Sequence, residues 1–155
     1  MRIFTPLFAL ALLLSPLSAN AGNTAPYSGT QSVATGQPFS TFMENLKAAI
    51  KKNKMGIVSQ ASATKGAASI GKTIAGNHVL MIFRPDFAVR MLEASVAAGI
   101  EAPLRLYVTE GADGNATLTY RLPSHVFGVY KVPALDAMAA ELDAIVAAIV
   151  ADATS

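Results

Sequence analysis

Apolar residues along this chain switch between a helical and a strand-like period, and the switches mark its elements. Phe42, Met43, Leu46, Ala49 and Ile50 fall on one face of a helix spanning Phe39 to Asn53. Lys47, Lys51, Lys52 and Lys54 crowd its other side and its C-terminal end, where positive charge suits the helix dipole. Thr41, with Glu44 three residues on, fits a capping box at its start. Met55 to Gln60 reads as a strand, and the small, Gly-broken stretch Ala61 to Gly71 as a weak helical turn at most. Val79-Leu80-Met81-Ile82-Phe83 is a continuous apolar run, the mark of a strand covered on both faces or lying in the middle of a sheet. Pro85 stops it, and Asp86 is placed to cap a helix through about Ala98 that Gly99 ends.

Beyond Pro103 the period is two. Leu104, Leu106 and Val108 alternate with Arg105, Tyr107 and Thr109; Leu118, Tyr120 and Leu122 alternate with Thr117, Thr119 and Arg121. Between them Gly111-Ala112-Asp113-Gly114-Asn115 is turn chemistry, so the two strands form a hairpin. Pro133 to Val150 is a long helix whose Leu135, Met138, Leu142, Ile145 and Ile149 repeat at 3-4-3-4 spacing. That seam is too short for a stand-alone coiled coil and reads as a core helix lying on a sheet, although an Ala-rich seam also suits a dimer contact. This helix carries Asp136, Glu141 and Asp143 and no basic residue, so it can lie beside the lysine-rich first helix. Gly22 to Pro38 reads as a flexible lead-in with an edge strand near Thr30 to Ala34. The resulting order predicts an α+β domain over residues 39–152, a mainly antiparallel sheet of about five strands with helices on one face.

The first 21 residues follow a different pattern. A short basic start at Met1-Arg2, an apolar run from Ile3 to Leu14, and small residues in Ala19-Asn20-Ala21 predict a secretory signal peptide cut after Ala21. The expected product is exported, to the periplasm or beyond, with no membrane span after the cut. The chain holds 12 basic and 10 acidic residues, and the cut removes Arg2; a near-neutral product has no global pull toward nucleic acid. Cysteine is absent, which excludes disulfides, thiolate metal sites and cysteine nucleophiles.

The block Val79 to Pro85, the helix after it, the step Gly99-Ile100-Glu101-Ala102-Pro103-Leu104-Arg105 and the hairpin ending Tyr120-Arg121-Leu122-Pro123 resemble the domain of unknown function 302 family over roughly Ser32 to Val150. The resemblance implies a TATA-binding-protein-like α+β fold, often homodimeric, and supplies no activity; fold alone does not carry nucleic-acid binding. The chain departs from the family at Phe83-Arg84, where many relatives have Gly-Asn. It also departs at Gln60-Ala61-Ser62-Ala63, where many have an Asp-His pair, and it lacks the hairpin Trp common in relatives.

Candidate chemistry is sparse. His78 and His125 sit in no metal-binding spacing, and Met43, Met81, Met91 and Met138 fall on apolar faces, so no cofactor or metal is expected. Ser124-His125 lacks the geometry of a nucleophile and its base. Asn115-Ala116-Thr117 is a glycosylation sequon on a turn, and Lys47 to Lys54 reads as a solvated helix face or a surface for anions or membranes. The remaining cluster is Arg84, Tyr107, Tyr120, Arg121 and His125, expected to converge on one end of the sheet as a small-ligand pocket. The sequence therefore predicts a non-catalytic exported module for a small ligand or a protein partner. The alternative is an enzyme or metal carrier using His125 with Arg84 and Tyr120.

Overall fold

The computed structural model describes residues 27–155, so the predicted signal peptide lies outside the described residues. Five strands form one antiparallel sheet in the order β1-β5-β4-β3-β2: β1 Thr30–Pro38, β2 Gly56–Ser62, β3 Asn77–Phe83, β4 Leu104–Glu110 and β5 Asn115–Arg121. The helices are α1 Phe39–Lys52, α2 Ala63–Ser69, α3 Pro85–Ala94, α4 Pro123–Gly128 and α5 Pro133–Thr154, with a 3-10 turn at Val96–Glu101. The α+β architecture is the one the period changes predict.

Two of the helices cover the sheet. Phe42, Leu46 and Ile50 of α1 and Val146, Ile149 and Ala153 of α5 bury Leu80, Ile82, Leu106, Val108 and Leu118. A second apolar cluster sits beyond the sheet's end, where Phe87 and Met91 of α3, Ala98 of the 3-10 turn and Phe127 of α4 pack on Leu135, Met138 and Leu142 of α5. The five apolar positions read from the sequence of α1 are the five that are buried. On α5 Val146 joins the seam, and Ile145 is only partly buried.

Several local expectations are corrected. The Thr41–Glu44 capping box does not form, because β1 runs directly into the helix; Pro38 takes the cap position and Phe39 N–H donates to Gly114 O at 3.0 Å. The edge strand expected near Thr30 to Ala34 extends to Pro38. Asp86 does not cap α3. Pro85 occupies the first turn, and the Asp86 carboxylate instead accepts two hydrogen bonds from Arg84, at 2.8 and 3.0 Å. That helix stops at Ala94, since Ser95 is extended and the tighter 3-10 turn carries Ala98 into the second cluster. The interior run Val79 to Phe83 is a mid-sheet strand, flanked by β2 and β4, with Leu80 and Ile82 fully buried toward the helices.

Ion pairs tie the helices together at the surface. Arg90 of α3 makes a bidentate contact with Glu141 of α5 at 2.7 and 2.8 Å, and Lys52 of α1 reaches Asp152 of α5 at 2.6 Å. The hydrogen bonds from Arg90 and Lys52 hold the Glu141 and Asp152 carboxyls below their ordinary values of 4.5 and 3.8. A carboxyl depressed in the folded state stabilises above its unfolded pKa, and that contribution is lost as pH falls through the folded one. Stability should therefore be flat from neutral pH to about pH 5 and decline below about pH 4. Urea titrations across that range check this, and in the Glu141→Gln, Asp152→Asn variant the decline should be shallower.

Candidate functional site

Alternation along the hairpin decides which side chains leave the core. On β4 and β5, Leu106, Val108 and Leu118 point to the helices, so Arg105, Tyr107, Thr119 and Arg121 share the opposite face. The register pairs Tyr107 with Thr119 and Leu106 with Tyr120; continued one residue past that pair, it brings Arg105 opposite Arg121 at the strand ends, and both line the same groove. Thr30 of β1 pairs with Arg121 on its other side. Glu101 from the 3-10 turn and Val126 from α4 close the end of the hairpin. Together with Leu104 and Tyr120 these residues line a groove of about 250 Å³.

The groove's polar groups are ordered before any ligand arrives. Asn77 Nδ2 donates to Tyr107 Oη at 2.5 Å, which leaves the phenol O–H free to donate. Thr119 Oγ1 and Ser32 Oγ are 2.7 Å apart. Tyr130 Oη donates to Glu101 at 3.1 Å, which engages that carboxylate. Arg121 lies over the Tyr27 ring, 5.1 Å from its centroid. Among the described residues, the ion pairs involve neither Arg105 nor Arg121. Like charges directly opposite on a sheet repel, so the pair favours an anion between them. Each guanidinium offers a planar fork suited to carboxylate or phosphate.

Tyr120 projects toward the helices, where it packs against the main core, and burial followed by the nearby Asp143 raises its phenol pKa. Its ring joins the groove as wall.

Of the five residues singled out from the sequence, the groove gathers three: Tyr107, Tyr120 and Arg121. Arg84 and His125 are not among its lining residues. Arg84 caps α3, pairs with Asp86 and stands 4.2 Å over the Phe87 ring, at the edge of a separate apolar cavity with Met91 and Phe127. His125 packs against Gly29, where an added Cβ would lie 2.1 Å from the imidazole Cγ and where φ is +74. His125 is thus committed to holding the start of β1 against α4, and the grouping of His125 with Arg84 and Tyr120 is not assembled. Sequence reasoning missed Arg105, Glu101 and Thr119. Arg105 was legible in principle, because it and Arg121 stand equally far from the hairpin turn. Glu101 was not, since the expected helix hid the 3-10 turn that delivers it.

Among the described residues no group of three or more His, Asp or Glu is placed to hold a metal ion. Likewise, no described helix is long and apolar enough to cross a membrane.

The family described as "Domain of unknown function DUF302" matches residues 31–153. Among solved structures, the chain is similar to the crystal structure of the uncharacterized conserved protein DUF302 from Bacillus stearothermophilus. The identity is 22%, the TM-score is 0.72, and the match covers 81% of this chain and 98% of that one. That likeness concerns the fold alone. No curated protein matches the chain.

Proposed function

This chain belongs to the DUF302 family, and we propose that it is an exported, non-catalytic binding module that takes a small anionic ligand in the groove of Arg105, Tyr107, Thr119 and Arg121. The observation that carries the reading is the opposed arginine pair, which among the described residues has no acidic partner in any ion pair. At about 250 Å³ the groove falls just below the usual range for drug-sized ligands, which favours a small carboxylate or phosphate ester. The Tyr107 hydroxyl and the Arg forks supply donors to an anion, while Leu104, Val126 and the Tyr120 ring supply apolar wall. Nothing in the groove pairs a nucleophile with a base, and this supports binding rather than turnover. Export rests on the three-part layout of residues 1–21.

Native mass spectrometry of the tag-free protein from an exporting host, set against its denatured mass, tests the reading. The expected result is a polypeptide starting at Gly22 that carries a small anionic adduct, lost in the Arg105→Ala, Arg121→Ala variant. An adduct that survives in the variant would remove the groove from the account, and a polypeptide retaining Met1 to Ala21 would remove export. The same spectrum reads the oligomeric state, for which the family resemblance implies a homodimer.

A further inference from the structure

A second cationic cleft lies on the helix side of the sheet, at the edge away from the groove. Lys47 of α1, Gln60 of β2, Ser62 at the start of α2, Lys65 of α2 and His78 of β3 line it, in a space of about 300 Å³. The chain brings them together from four elements. β2 and β3 pair so that Gln60 stands across from Leu80 and Ser62 from His78, which puts Gln60, Ser62 and His78 on the face that α1 covers. One turn of α1 beyond Met43 presents Lys47, and α2 folds back to present Lys65.

The cleft contains donors and lacks acids. Lys47 and Lys65 take part in none of the ion pairs among the described residues. Ser62 Oγ accepts from Lys65 N–H at 3.2 Å, so its own proton remains to be given. The His78 Nε2 and Gln60 Oε1 atoms are 3.1 Å apart, which fixes the imidazole at the wall of the cleft.

We propose that this cleft is a binding site for a phosphate- or sulfate-class oxyanion, held between Lys47 and Lys65 with His78 as its wall. It is separate from the arginine groove, and neither site's failure bears on the other.

The charges around His78 give the site a pH dependence. Lys47 faces it from α1 and Lys65 from α2. On β2 its neighbours are the uncharged Gln60 and Ser62, and on β4 its partner is Val108. Glu110, the nearest acid along β4, is engaged by Gly76 N–H at 2.6 Å. Burial first, then Lys47 and Lys65, push the imidazole below its ordinary value of 6.5. An anion between the lysines offsets their field and favours the imidazolium. By linkage, the anion binds more tightly as pH falls and His78 gains its proton.

The test is an NMR pH titration of the imidazoles in sodium sulfate and in sodium chloride of equal ionic strength. The titration is run in the Arg105→Ala, Arg121→Ala background, because His125 packs at Gly29 beside the arginine groove; with that groove disabled, the second of the chain's two histidines serves as an internal control. Sulfate is expected to raise the His78 pKa by about half a unit or more over chloride, with His125 unmoved. In the Lys47→Ala, Lys65→Ala variant that difference between salts should vanish; both lysines are exposed and the fold should survive. Identical His78 titrations in the two salts, or equal movement of both histidines, would overturn the proposal. Sedimentation with vesicles of equal phosphatidylglycerol and phosphatidylcholine separates the sources. Lysine-dependent sedimentation assigns the site to lipid headgroups, and a sulfate response without sedimentation assigns it to a free anion.

Discussion

Replacing both Arg105 and Arg121 by alanine is expected to weaken small-anion binding about 100-fold or more while the fold survives. A charge-assisted hydrogen bond contributes roughly 1.5–3 kcal/mol, so each arginine accounts for about tenfold or more in affinity. Stability should change little. Arg105 is exposed and makes none of the ion pairs among the described residues, so Arg105→Ala alone should leave unfolding free energy within about 0.5 kcal/mol. Removing one of two opposed like charges also relieves repulsion in the empty groove. Arg121→Ala gives up the contact with the Tyr27 ring as well, and should show slightly lower stability than Arg105→Ala. Calorimetric titration paired with thermal denaturation reads both effects. If Arg105→Ala cost several kcal/mol of stability, the guanidinium would be structural and the groove would lose its role.

The second large effect is on the fold itself. Phe42 is fully buried in the first turn of α1, in the cluster that α1 and α5 form over the sheet. Phe42→Ala should cost about 3–5 kcal/mol, because it removes a ring and leaves a cavity the surrounding strands cannot collapse into. That is a large part of the roughly 5–15 kcal/mol that holds a domain of this size together. Leu92→Ala is the control: Leu92 is 46% exposed on α3, and its truncation should stay within about 0.5 kcal/mol. Urea denaturation of the two variants provides the comparison, and a Phe42→Ala cost below about 1 kcal/mol would contradict the packing of α1 on the sheet.

The fold was legible wherever one face of an element is buried against one neighbour. The helical period of Phe42 to Ile50 and the alternation of Leu104 to Thr109 report burial that any sheet-and-helix arrangement would impose, and both were read correctly. What escaped depends on distant partners. The extension of β1 to Pro38 comes from its pairing with β5, for which the polar stretch Gly36-Gln37 offers no local signal. α4, Pro123–Gly128, is a single short turn whose helicity follows from burying Val126 and Phe127. The early end of α3 reflects the demand for Ala98 in the second cluster, since the sequence from Asp86 to Ala98 is otherwise continuous helix former. The site follows the same division. Tyr107 and Arg121 were found because they lie on the polar side of a clear alternation. Arg84 and His125 were grouped with them by residue type, while the chain commits Arg84 to Asp86 and Phe87, and His125 to Gly29.

The measurement closest to the central claim is an amide NMR titration of the tag-free protein with succinate, benzoate and inorganic phosphate, each against sodium chloride at matched ionic strength. The account predicts that at least one of the three produces saturable shifts centred on Arg105, Tyr107, Thr119 and Arg121, absent in the Arg105→Ala, Arg121→Ala variant. Shifts no larger than those in chloride for all three anions, or saturable shifts that spare these four residues, would contradict it.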